Sequence, residues 1–72
     1  MKCYVVIKTS TEDISPDVIG IKETMTEALS VVYKDVAETG SYYTLEEIEK
    51  EFDNEGYFDL RGYRYSIIKY WE

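Results

Sequence analysis

The chain has 72 residues, of which 44% are hydrophobic, and its 15 acidic residues against eight basic ones give a net charge of −7. One domain of this length has a marginal core, since a chain of about 60 residues buries only about 60% of its unfolded surface. The negative charge disfavours direct binding to nucleic acid or anionic membranes, so a basic protein is the more natural partner.

Enzymatic chemistry is not expected from the residue types present. The chain has no histidine and a single cysteine, Cys3, which excludes His-based acid–base catalysis, His metal sites and an intrachain disulfide. Cys3 has no histidine partner that would generate a thiolate. We therefore expect no cofactor and no metal. The apolar run at 4–7 is too short for a signal core or a membrane span, so we expect a cytoplasmic protein.

The first two elements are predicted to be strands. Residues 3–9 are rich in β-branched and aromatic side chains. Alternation places two sets of side chains on opposite faces of this strand, namely Cys3, Val5 and Ile7 against Tyr4, Val6 and Lys8. If the first set faces the helices, the second points outward. After a polar loop at 10–16, residues 17–22 form a second strand, in which Gly20 marks a bulge or a close backbone approach.

Two helices follow, and each begins with a capping box. Thr24 and Glu27 form the first box, and Thr44 and Glu47 the second. A glycine closes each helix, at positions 40 and 56, because glycine tolerates the left-handed conformation there. The first helix buries a face whose residues recur at helical spacing: Met25, Ala28, Leu29, Val32, Tyr33 and Val36.

The last part of the chain is predicted to be a strand at 63–71 after a turn at 61–62, with a short extra strand near 57–60 as an option. The order is then β-β-α-α-β. Two helices packed on one face of a small antiparallel sheet make an α+β fold, and residues 1–72 form a single α+β domain.

Residues 44–59, called the acidic segment below, carry seven acids and one base, a net charge of −6. A solvated helix face is the plain explanation of this charge. The functional hypothesis is that the carboxylates imitate a row of phosphates and dock on the basic nucleic-acid-binding site of a protein, while nearby aromatics fill pockets. The candidate partner-binding residues are Glu46, Glu47, Glu49, Glu51, Asp53, Glu55, Asp59, Tyr57 and Phe58. Arg61 and Arg64 are expected to pair with Asp59 or with the helix acids.

The final strand suggests a second hypothesis, because it carries apolar side chains on both of its faces. Helices that cover one face of the sheet can bury only one of these two sets of side chains. We therefore expect exposed aromatic side chains on this strand. The alternative hypothesis is that the chain is a structural or regulatory module that self-associates through them, for example as a homodimer. The acidity would then serve solubility only. The candidate residues are Tyr63, Tyr65, Tyr70 and Trp71.

In size, acidity and lack of catalytic residues, the chain resembles the small inhibitors made by phages and mobile elements. These include anti-restriction, anti-CRISPR and glycosylase-inhibiting proteins. The resemblance is one of composition and transfers no site residues. It implies a viral or mobile-element protein that inhibits another protein by binding it, in the cytoplasm of the host cell if a phage encodes it, and it favours binding over catalysis.

Overall fold

The computed structural model describes residues 2–12 and 15–71, which form a four-stranded antiparallel sheet and two helices. The elements in chain order are β1 (Lys2–Ser10), β2 (Pro16–Lys22), α1 (Met25–Glu38), α2 (Leu45–Glu55), β3 (Phe58–Leu60) and β4 (Tyr63–Trp71). The predicted α+β fold is confirmed, and β3 is the short extra strand. The sheet order is β2-β1-β4-β3, so the C-terminal strand is central, and β2 and β3 are the edges.

The helix boundaries follow local sequence signals. In α2 the Thr44 hydroxyl accepts a hydrogen bond from the Glu47 N–H, and the Glu47 carboxylate accepts one from the Thr44 N–H, so the capping box is complete. Only half of the box predicted for α1 forms. Thr24 accepts from the Glu27 N–H, but the Glu27 carboxylate accepts from the Thr24 hydroxyl and not from its backbone. The glycines that close the two helices have φ values of 83° and 84°.

The core lies between the two helices and one face of the sheet. Its buried apolar side chains are Tyr4, Val6, Ala28, Leu29, Val32, Val36, Ile48, Phe58 and Tyr65. Tyr4 and Val6 therefore face the helices, and of the two orientations that alternation allows, the one with Cys3, Val5 and Ile7 inward does not occur. Part of the reason is that Lys8 lies on the same inner face as Tyr4 and Val6, where it forms an ion pair with Asp35 of α1.

Gly20 has both of the features that its position predicts. Val6 pairs with Gly20 and Ile7 pairs with Val18, so Ile19 is the extra residue of a β-bulge. A Cβ atom on Gly20 would lie 3.1 Å from Cγ1 of Val31, which is tighter than ordinary contact. The missing side chain thus lets α1 pack closely against β2.

The β3–β4 hairpin turns through two residues, Arg61 and Gly62. Their φ values are 47° and 83°, and a type I′ turn requires positive φ at both central positions. Glycine adopts this conformation without strain, whereas arginine carries a steric cost. The predicted turn is present, and its first residue is not the type that this backbone favours.

Candidate functional site

A groove of about 360 Å³ lies beside α2 where the chain enters β3. We call it the acidic groove. Its lining residues are Tyr43, Glu47, Glu51, Glu55, Tyr57, Phe58 and Asp59, with no lysine or arginine among them. Three of its carboxylates come from α2 at four-residue spacing, so they stand about 6 Å apart along the helix axis. The fold thus brings together six of the nine residues predicted to contact a partner.

The apolar residues of α2 form one stripe, made of Leu45, Ile48 and Phe52. The six acids of the helix form two rows, one on each side of this stripe. The groove row comprises Glu47, Glu51 and Glu55. The outer row comprises Glu46, Glu49 and Asp53, whose spacing places them on the other flank. All six are exposed. Apart from the capping bond of Glu47, none of them pairs with another residue in 2–12 or 15–71. The outer row does not line the groove, so the predicted set is divided between two surfaces.

Asp59 differs from the helix acids because it has a basic partner. Arg64 donates from Nε to Oδ1 of Asp59 at 2.7 Å and from Nη2 to Oδ2 at 3.0 Å. These hydrogen bonds lower the pKa of Asp59. The guanidinium also lies 3.9 Å from the centroid of the Tyr57 ring. Arg64 thus forms the predicted pair, while Arg61 makes no ion pair within the described ranges.

The two aromatics predicted to contact a partner differ in exposure. Tyr57 is half-buried beneath Arg64 and keeps an accessible edge. Phe58 has an exposed fraction of only 3% and belongs to the core. Its ring packs edge-on against Tyr43, with the centroids 5.2 Å apart. Phe58 therefore forms the floor of the groove and offers little contact area, whereas Tyr43 remains accessible at its rim.

The aromatics predicted for self-association do not share one surface. Tyr65 is completely buried, so the expectation that it is exposed is wrong. Alternation puts Tyr63 and Trp71 on the same inner side of β4 as Tyr65, and Tyr70 on the other side. Trp71 packs edge-on against Tyr4, with the centroids 6.4 Å apart. Of the four residues, only Tyr70 points away from the helices.

A polar network that was not predicted from the sequence links α1 to the sheet. Oδ2 of Asp35 accepts a hydrogen bond from Lys8 Nζ at 2.8 Å and another from the Tyr65 hydroxyl. Burial by itself would raise the pKa of Asp35, but the hydrogen bonds from Lys8 and Tyr65 outweigh it, and the pKa is lowered. Burial and the bond to Asp35 raise the pKa of Tyr65. The network satisfies the polar end of a buried tyrosine and ties α1 to two strands.

Two other kinds of site are missing from the part of the chain that the structure describes. No three acidic or cysteine side chains there lie close enough to hold a metal ion. No helix there is long and apolar enough to cross a bilayer. Comparison of the chain with protein-family models, with curated proteins and with solved structures found no match.

Proposed function

We propose that this chain is a non-enzymatic inhibitor that docks the acidic groove, together with the outer row of α2, on the basic nucleic-acid-binding site of a partner protein. A phage or mobile element would encode it, and it would act in the manner of anti-restriction or anti-CRISPR proteins. The observation that supports this proposal is the groove row: three exposed carboxylates in line along one helix, beside accessible tyrosines, with no base lining the groove.

The charge density of α2 is suitable for imitating nucleic acid. Its 11 residues carry six acids and Lys50, and at 1.5 Å per residue they span about 16 Å. The net charge is therefore one per about 3.3 Å of helix axis. A single strand of B-form DNA carries one per about 3.4 Å. A basic channel that accepts a strand would thus meet a similar density of negative charge on this helix.

The groove also supplies contacts that charge alone would not. Tyr43 and Tyr57 flank the carboxylates of the groove row. Tyrosine is enriched among the residues that dominate binding energy, because it buries apolar area and keeps a polar tip for a hydrogen bond. Glu51 and Glu55 have no partner of their own within the described chain, so docking would break no internal ion pair at these positions.

Two double variants with the same charge change test the proposal. Glu51→Lys with Glu55→Lys alters the groove row, and Glu49→Lys with Asp53→Lys alters the outer row at the same spacing. Glu47 stays unchanged because its side chain caps α2. Each protein is used as bait in a host lysate at low and high salt, and the captured proteins are identified by mass spectrometry.

We expect the wild-type chain to capture a nucleic-acid-binding protein at low salt, and added DNA or RNA to displace it. High salt should weaken the capture, because screening reduces attraction between exposed charges. The groove variant should lose at least about tenfold in affinity, with a smaller loss for the outer variant. Equal losses would show that only net charge matters. A captured partner that nucleic acid does not displace would contradict the proposal.

A further inference from the structure

The face of the sheet opposite the helices is apolar and uncovered in the structure. Residues paired across an antiparallel sheet point to the same side, so the pairing defines this open face. One cross-strand row is Ile21, Val5 and Ile68, and a second begins with Val18 and Ile7. Beside them, Cys3 pairs with Tyr70. Val18, Ile21, Ile68 and Tyr70 have exposed fractions of 50–62%.

The open face is electrically neutral, although the chain is strongly acidic. Its charged strand residues, among those described, are Asp59 and Arg64, which pair with each other near β3. The lysines of β1 and β4 alternate onto the helix side, and the acids of α2 lie on that side as well. A patch of β-branched side chains without net charge is suited to a partner surface of the same kind. The same face of a second copy has this property.

We propose that the open face is the interface of a homodimer in which two sheets pack face to face around a twofold axis. Four strands about 4.8 Å apart, with the longest about 30 Å in length, offer roughly 500 Å² per copy, or about 1,000 Å² for the pair. That area is close to the lower limit of about 1,000 Å² for a specific interface, so the dimer is reversible. The helices, and with them the groove row, remain outside the interface.

Sedimentation equilibrium over a wide range of protein concentration tests the dimer. The wild-type chain should move from monomer to dimer with a micromolar dissociation constant. Added salt should tighten the dimer, because it screens repulsion between two copies that each carry −7 while leaving apolar burial intact. This salt effect is opposite to the one expected for docking on a basic partner, so either proposal can fail without the other.

The variant Ile68→Lys places a charge in the middle of the open face and should weaken the dimer by at least about 100-fold. Ile21→Lys, at the edge of the same face, should weaken it too, and it replaces the first variant if that one does not fold. Tyr42→Lys is the matched control, since it makes the same charge change at a side chain that is 98% exposed and off the sheet. Circular dichroism verifies that each variant is folded.

Three results would overturn the proposal. The first is a wild-type chain that stays monomeric at the highest concentration. The second is a dimer that Ile68→Lys and Ile21→Lys leave intact, which would move the contact to the free edge of β2 or to the helices. The third is equal loss in the Tyr42→Lys control, which would mean that the losses are not specific to the open face.

Discussion

Removing the Asp35 carboxylate should destabilise the fold by an amount that the polar network predicts. In Asp35→Ala the hydroxyl of Tyr65, whose exposed fraction is zero, loses its acceptor. An unsatisfied buried polar group costs about 1–3 kcal/mol. The ion pair with Lys8 is about one-quarter exposed, so its loss adds at most about 1 kcal/mol. The expected loss is thus about 1–4 kcal/mol, a large share of a small domain's stability of about 5–10 kcal/mol.

Tyr65→Phe is the matched control because it removes the hydroxyl together with its need for an acceptor. Asp35 keeps its bond to Lys8 in that variant, and the expected loss is only about 0.5–1.5 kcal/mol. Urea denaturation followed by circular dichroism measures both free energies of unfolding. A Tyr65→Phe variant less stable than Asp35→Ala would show that the hydroxyl does not depend on the carboxylate as its acceptor.

The network also predicts a pH dependence. The folded state lowers the pKa of Asp35, and the unfolded value is about 3.9. The ionised carboxylate therefore contributes stability above about pH 4, and this contribution is lost as the pH falls through the folded pKa. The stability difference between the wild-type chain and Asp35→Asn should accordingly shrink between pH 7 and pH 2.5. A difference that stays constant over this range would show that the charge of Asp35 does not matter.

Three further substitutions test the core and the hairpin turn. Leu29→Ala should cost about 2–5 kcal/mol because it empties a buried site on α1. Tyr33→Ala, on the exposed flank of the same helix, should cost about 1 kcal/mol or less, and similar losses in both would contradict the helix orientation. Arg61→Asn should raise the free energy of unfolding by about 0.5–1 kcal/mol, and with it the urea midpoint, since asparagine accepts positive φ more readily. An unchanged or lower midpoint would mean that the arginine is not strained.

The parts of the fold that could be predicted depend on signals within a few residues. The spacing of apolar residues in α1 is set by the helical repeat, so the sequence is sufficient to assign Ala28 and Val32 to the core, where both are buried. The capping box at Thr44 and Glu47 is equally local. Tyr33 matched the pattern but lies at its margin, because α1 meets the sheet over a narrower stripe than the spacing alone indicates.

The parts that could not be predicted depend on which surfaces meet. Alternation in β1 separates two faces but does not say which one the helices cover. A signal was nevertheless present. Lys8 shares a face with Tyr4 and Val6, and Asp35 follows Ala28 and Val32 at helical spacing, so a base on one buried face had an acid opposite it. Matched charges of this kind on two inward faces indicate both the network and the face of β1 that the helices cover.

The sequence by itself determined the elements, their order and the concentration of charge in residues 44–59, because propensity, capping and net charge are properties of short segments. Only the tertiary structure decided that one row of α2 acids lines a groove with Tyr43 and Asp59, that Phe58 and Tyr65 are buried, and that an apolar face of the sheet is uncovered. Those outcomes depend on contacts between residues far apart in the chain. Their free energies come from burial against particular neighbours, which local sequence patterns do not specify.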